Sequence, residues 1–161
     1  NQSWGAKATL SATFNKRLAY EKGRRIGNEG LSGGSKEYST VPGYYAPGVN
    51  LHRSPFGGRT SQYFGEDGVL SGKMAAQLVI GAKEMGMFTY VKHFAINEQE
   101  TNRIGVMTWA NEQSMRELYF KPFELCVTEG KTTAMMSSLN RIGTTWAGGS
   151  RALLTLSLIH I

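Results

Sequence analysis

Leu70, Met74, Leu78 and Ala82 recur at helical spacing between Asp67 and Gly86. They predict a helix that opens on Asp67 as its capping residue and stops at Gly86. The largely apolar run that follows, Met87-Phe88-Thr89-Tyr90-Val91, is short and rich in β-formers, so it reads as a buried strand. Upstream, Asn15 is expected to cap a helix running to about Gly30, with Leu18, Ala19 and Ile26 on its inward stripe. Ala8–Ala12 is expected to form a short strand. Tyr44–Leu51 is expected to form another, interrupted by Pro47, which suits an exposed end or a bend. Beyond the strand at 87–91, the pattern predicts a helix over Asn111–Gly130, kinked or restarted at Pro122. A last strand is expected over Thr133–Ser137. Leu31–Gly43 and His52–Gly65 are loops rich in glycine.

This alternation of strands and helices predicts an α/β fold with a parallel sheet and crossover helices. An open doubly wound sheet and a (β/α)8 TIM-type barrel satisfy it equally well. No G-x-G-x-x-G turn follows a strand, so a dinucleotide fold lacks its main support. The longest polar loops, after Leu51 and after Val91, both follow strands, where a barrel keeps its chemistry.

The second of those loops concentrates the candidate chemistry. Lys92-His93-Phe94-Ala95-Ile96-Asn97-Glu98-Gln99-Glu100-Thr101-Asn102-Arg103 puts cationic, imidazole, amide and acid groups at the end of a strand. It resembles the lysine-histidine signature of glycoside hydrolase family 3, the β-glucosidase-type enzymes. Other segments are similar to the family in the same order: Tyr45–Arg59, Tyr63–Asp67, Met115–Glu124 and Met136–Asn140. The resemblance covers roughly residues 8 to 155. It implies that residues 1–155 are part of the family's N-terminal barrel, with about half of its strands. The N-acetylglucosaminidase branch of the family usually shows Lys-His-Phe-Pro-Gly-His-Gly here, whereas Ala95-Ile96-Asn97 follow in this chain.

The resemblance also implies roles. Arg59, Lys92, His93 and Arg103 match the family's binders of the innermost glycosyl unit. Read from residue type alone, each has a plainer account. Arg59 after Gly57-Gly58 suits a surface arginine, and Lys92 with His93 suits an ion network with Glu98 or Glu100. The chemistry of the sugar reading is sound: lysine offers three donors, arginine a rigid fork, and histidine both donates and accepts. Trp109 is the best placed of the three tryptophans to stack on a sugar face, with ordinary packing as its alternative. Leu139 stands where the family's Met-Ser-x-x-Asn segment usually carries an aromatic residue, and Gly68 where proline is common.

The resemblance implies a retaining exo-acting enzyme that releases terminal β-linked glucosyl units. Such enzymes need two carboxyl groups about 5 Å apart. The family's nucleophile is an aspartate on a later strand, and its acid/base a glutamate in a following domain. Asp67 is the only aspartate here and matches a helix start, so no catalytic residue is expected in this chain. The alternatives are a non-catalytic carbohydrate-binding barrel of the same ancestry, a β-xylosidase-type specificity, and an unrelated α/β enzyme acting on a small anion.

Composition narrows the rest. Net charge is +6, from 18 Lys and Arg against 12 Asp and Glu, but the cations are spread and do not interleave with aromatics. A nucleic-acid partner is therefore not expected. No run of about 18 apolar residues is present, so no membrane partner is expected. Cys126 reads as a buried structural thiol. His52, His93 and Cys126 have no metal-ligand spacing, no G-x-S-x-G elbow occurs, and Gly33-Gly34-Ser35-Lys36 lacks the full phosphate-loop pattern. No metal and no cofactor is implied; the expected partner is a small carbohydrate. The lone cysteine and the lack of an apolar leader lean to the cytoplasm, with secretion the alternative if the true N-terminus is missing. Residues 156–161, Leu-Ser-Leu-Ile-His-Ile, depart from the family and are expected to be a non-native tail.

Overall fold

The computed structural model describes residues 5–33 and 40–157. Trp4, Gly34-Ser35-Lys36 and the end of the expected tail lie outside them. Two helices form the backbone of the architecture: α2 (Lys16–Ser32) and α3 (Gly68–Glu84). Both start on the expected caps. The Asn15 side chain accepts from the Leu18 N–H at 3.0 Å, and Asp67 accepts from the Leu70 N–H at 2.6 Å. α2 runs past Gly30 and ends on Gly33 in the left-handed region, where glycine costs nothing.

The inward face of α2 is the expected one in part: Ala19 is buried and Ile26 packs against the core, but Leu18 turns outward. Leu18 is 42 % exposed, while Ala19, Gly23 and Gly27 are buried. The reason is the closeness of α3. A Cβ on Gly23 would overlap the Leu78 carbonyl, and one on Gly81 would overlap the Tyr20 carbonyl. Only small residues let the two backbones meet. On α3 the stripe is as expected: Met74, Leu78 and Ala82 are fully buried.

Ala8–Ala12 is a correction. It forms α1 (Lys7–Ser11), not a strand. Alanine and leucine favour helix, and one short turn buries Leu10 and Ser11 together, which an alternating strand would not. Among the described residues three strands therefore form the parallel sheet, rather than four: β1 (Gly43–Tyr44), β2 (Phe88–Phe94) and β4 (Ala134–Ser137), in the order β1-β2-β4. β1 is shorter than expected because Pro47 interrupts the pairing. A single parallel bridge, Gly48 to Lys92, resumes it. β2 is longer than expected, so Lys92 and His93 belong to the strand itself.

A second small sheet, absent from the expectations, joins β3 (Met107–Thr108), β5 (Arg141–Ile142) and β6 (Thr145–Trp146). The helix expected over 111–130 is built in pieces. α4 (Glu112–Ser114) passes into a π-helical turn, Met115–Tyr119, and the chain restarts as α5 (Lys121–Thr128) with Pro122 in its first turn. The core lies between β2 and the helices, with Met74, Leu78, Val91, Phe94 and Phe123 at its centre. Cys126 is buried there, and burial raises its pKa far above that of an ordinary thiol.

Candidate functional site

On one side the end of β2 is held by backbone pairing to the Pro47–Val49 segment. The Lys92 N–H donates to the Pro47 carbonyl at 3.0 Å, and the Val49 N–H donates to the Lys92 carbonyl at 2.8 Å. One residue further, an amide side chain takes over. The His93 N–H donates to Asn50 Oδ1 at 2.7 Å, and Asn50 Nδ2 donates to the His93 carbonyl at 2.9 Å. Asn50 is 1 % exposed, so both bonds are dry. On the other side Ser138 and Asn140 close over β2: the Ser138 N–H donates to the Phe94 carbonyl, and Ser138 Oγ and Asn140 Nδ2 both donate to that of Ala95.

The peptide bonds Lys92–His93 and Phe94–Ala95 are cis, and Ile96 has φ 56. A buried β-branched residue in the left-handed region stores strain of roughly 1–3 kcal/mol. The Ser138 and Asn140 bonds to the preceding residue hold it there. This turn sends residues 97–103 back across the 53–65 loop, where the Glu100 N–H donates to the Gly57 carbonyl at 2.9 Å.

Glu100 is the meeting point of two loops. Its carboxylate bonds Arg59 Nε from the first loop and Arg103 Nη1, at 3.1 Å, from the second. Arg59 Nη1 also donates to Gln62 Oε1 at 2.7 Å. Lys92 forms no ion pair among the described residues. Burial lowers its pKa, and Arg59 lowers it further. Burial, then Arg59, Lys92 and Lys7, push the His93 imidazole down to about 3. Arg59 thus lies close enough to act on both Lys92 and His93. Arg59 and Arg103 meet on Glu100, Arg59 acts on Lys92 and His93, and the ion network that paired Lys92 and His93 with Glu98 or Glu100 does not form among the described residues. Glu100 belongs to the arginines, and His93 is neutral.

Spacing alone does not reveal Asn50, Tyr63 and Lys7. Tyr63 Oη donates to the Asn97 carbonyl at 2.7 Å and lies 3.3 Å from His93 Nδ1. Lys7, on α1, sits over the Phe64 ring, and burial followed by the nearby charges of Lys22 and Lys92 lowers its pKa to about 8. The available signals are that Asn50 is a polar residue inside the expected strand Tyr44–Leu51 and that Tyr63 opens the Tyr63–Asp67 segment.

Glu98 points elsewhere. Its Oε1 accepts from the Leu51 N–H at 3.4 Å, and burial raises its pKa to about 7. It lines a cavity of about 290 Å³ with Arg53, Phe56, Asn97 and Asn140; none of the four expected residues lines that cavity. A wider hollow of about 760 Å³ beside it is lined by Glu100 and Arg103. Trp109 is 75 % exposed, and its ring packs near Gly143. Asp67 is used as a helix cap. Among the described residues no group of three His, Cys, Asp or Glu side chains is placed to hold a metal ion.

A family model for the glycosyl hydrolase family 3 N-terminal domain matches residues 5–159. A β-glucosidase of Ruminococcus albus is 37 % identical over 149 residues, 92 % of this chain and 15 % of that protein. A probable β-glucosidase I of Aspergillus fumigatus is 37 % identical over 146 residues, 91 % of this chain and 17 % of that protein. Among solved structures, β-glucosidase 3B from Thermotoga neapolitana in complex with glucose superposes with a TM-score of 0.90 at 34 % identity, covering 98 % of this chain and 21 % of that one. A β-glucosidase from Paenibacillus barengoltzii superposes with a TM-score of 0.92 at 33 % identity, covering 99 % of this chain and 17 % of that one. The chain spans about one-sixth of the length of the curated relatives it matches.

Proposed function

The chain belongs to glycosyl hydrolase family 3, within its N-terminal domain, and from that premise we propose that it is the sugar-binding part of a β-glucosidase-type enzyme. In this reading the three parallel strands are part of a (β/α)8 barrel. Arg59, Lys92, His93 and Arg103 then surround a terminal β-linked glucosyl unit at the ends of its strands. The parent enzyme works with retention, through a glycosyl-enzyme intermediate. The two carboxyl groups that chemistry needs are supplied by residues outside this chain. The cations would also keep a nearby carboxylate ionised by stabilising its charged form.

The observation that carries the reading is the meeting of Arg59 and Arg103 on Glu100 beside Lys92 and His93. One carboxylate fixes two donor forks from different loops, which is the preorganisation a hydroxyl-rich ligand needs. A titration followed by two-dimensional NMR tests it. Glucose is expected to shift the resonances of Arg59, Lys92 and His93, and Lys92→Ala to abolish the shifts. Inorganic phosphate is expected to leave those resonances unmoved. Preferential binding of phosphate would replace the sugar reading with the small-anion one. The chain by itself is expected not to hydrolyse aryl β-glucosides, and robust turnover would overturn the placement of the catalytic groups.

A further inference from the structure

A tyrosine hydroxyl has one proton to give. Tyr63 Oη lies 2.7 Å from the carbonyl oxygen of Asn97, which can only accept, so the phenolic proton goes there. The same oxygen lies 3.3 Å from His93 Nδ1. With its proton committed, Tyr63 can only accept from that nitrogen. The hydrogen bond therefore exists only when Nδ1 carries a proton. Tyr63 is 1 % exposed, so no water competes for its lone pairs. The imidazole is also kept neutral, by burial and then by Arg59, Lys92 and Lys7. A neutral ring protonated on Nδ1 leaves Nε2 bare, and the hydrogen bond that the His93 ring makes among the described residues is the one at Nδ1.

We infer that Tyr63 is a positioning residue that fixes His93 as the Nδ1–H tautomer, so that Nε2 is the one acceptor among four groups of which the other three can only donate. Arg59, Lys92 and Arg103 have no acceptor to offer. Glu100 is already committed to the two arginines. A hydroxyl that accepts from any of these donors still carries its own proton, and that proton needs somewhere to go. Nε2 receives it. The result is a directional chain, from cation to hydroxyl oxygen and from hydroxyl proton to imidazole. The site then selects for a group that both accepts and donates. A fluorine or an ether oxygen at the same position satisfies the cation and leaves Nε2 unpaired. This selectivity rests on the sugar reading; the tautomer does not.

Long-range 1H–15N correlation on protein labelled at histidine nitrogen tests the tautomer without any ligand. The chain has three histidines, and a His93→Asn variant identifies the resonance. At pH 7 the wild-type ring is expected to carry its proton on Nδ1. In Tyr63→Phe the population is expected to move toward Nε2–H. A wild-type ring protonated on Nε2, or on both nitrogens, would overturn the inference, and this holds even if Tyr63→Phe fails to fold.

The second arm compares glucose with its four monofluorinated deoxy analogues at positions 2, 3, 4 and 6. In the wild type one of the four is expected to bind about tenfold more weakly than glucose, the worth of one hydrogen bond. In Tyr63→Phe, where the ring is free to turn its proton outward, that penalty is expected to fall to within about threefold. Equal weakening of all five ligands would show a merely structural tyrosine and overturn the selectivity. If glucose itself does not bind the wild type, the sugar reading fails while the nitrogen spectrum still decides the tautomer.

Discussion

The helical side of this molecule and its loop rim are built on opposite principles. Where α2 crosses α3, contact depends on what is missing: Gly23 and Gly81 let one backbone rest on the carbonyl oxygens of the other. At the rim, contact depends on what is present: Asn50, Ser138 and Asn140 supply the hydrogen bonds that a regular ladder no longer makes after Lys92. The first region tolerates no added atom and contains little chemistry. The second spends polar side chains on holding the backbone, and thereby frees the end of β2 to present functional groups. Stability and chemistry are thus carried by different residues, which makes the separation open to attack.

The hardest test falls on the helical side. Gly81→Val would drive a side chain into the Tyr20 carbonyl and toward the Arg24 N–H. Backbone cannot rotate away as a side chain can, so a loss of about 3 kcal/mol or more is expected, the upper end for overpacking. Chemical denaturation of purified protein measures it. A variant as stable as the wild type would mean that the helices are free to slide apart. Asn50→Ala should come next. It strands the buried N–H and C=O of His93 together, and each orphan is worth about 1–3 kcal/mol. The same melt should show a loss of about 2–4 kcal/mol, with glucose binding impaired as well, because the strand end loses its shape.

Arg59→Ala should separate the two roles most cleanly. Its ion pair with Glu100 is partly exposed, so stability should change by less than about 1 kcal/mol. Glucose affinity should fall by roughly ten- to a hundredfold, the range for hydrogen bonds from a charged donor. Calorimetry on the folded variant reads both. A large loss of stability with unchanged affinity would reverse the assignment and make the arginine a structural strut.

Much of the helical side was legible before any coordinates. Asn15 and Asp67 announce themselves as caps because a short acceptor before an apolar period has one structural use. Pro122 marks the restart of α5 because it removes a donor that an uninterrupted helix needs. Ala19 and Ile26 on the inward face of α2 are legible, but the glycines beside them are not, since a hydrophobic period looks for large residues. α1 is not legible as a helix, because the five residues Ala8-Thr9-Leu10-Ser11-Ala12 carry no decisive period. β3, β5 and β6 have two residues each, and they exist because distant backbones meet there. At the rim the four cationic and imidazole positions were visible as residue types at strand ends. Asn50 and Tyr63 reach β2 from 43 and 30 residues away, and no local pattern records such a span.

The smallest effect concerns Glu98, which stands on the rim but faces the cavity rather than the cations. Its pKa is raised by burial to about 7, above the 4.5 of a free glutamate. Between those two values the folded chain keeps a proton that the unfolded chain has released. Stability therefore falls as pH rises through that window and levels off above it. His93 works in the other direction. Its pKa is lowered from 6.5 to about 3, so stability falls as pH drops from 6.5 toward 3. The two slopes oppose one another between pH 4.5 and 6.5, and the wild-type profile alone cannot apportion them. Glu98→Gln removes one of them. The difference between variant and wild type should grow in favour of the variant from pH 5 to pH 8, on the order of 1 kcal/mol once solvent screening is allowed for. Urea melts at a series of pH values measure that difference directly. Parallel curves would show that Glu98 is ionised in the folded chain at pH 5. The cavity would then hold a charged carboxylate beside Arg53, and the rim would have a second ionised carboxylate in place of a neutral acid.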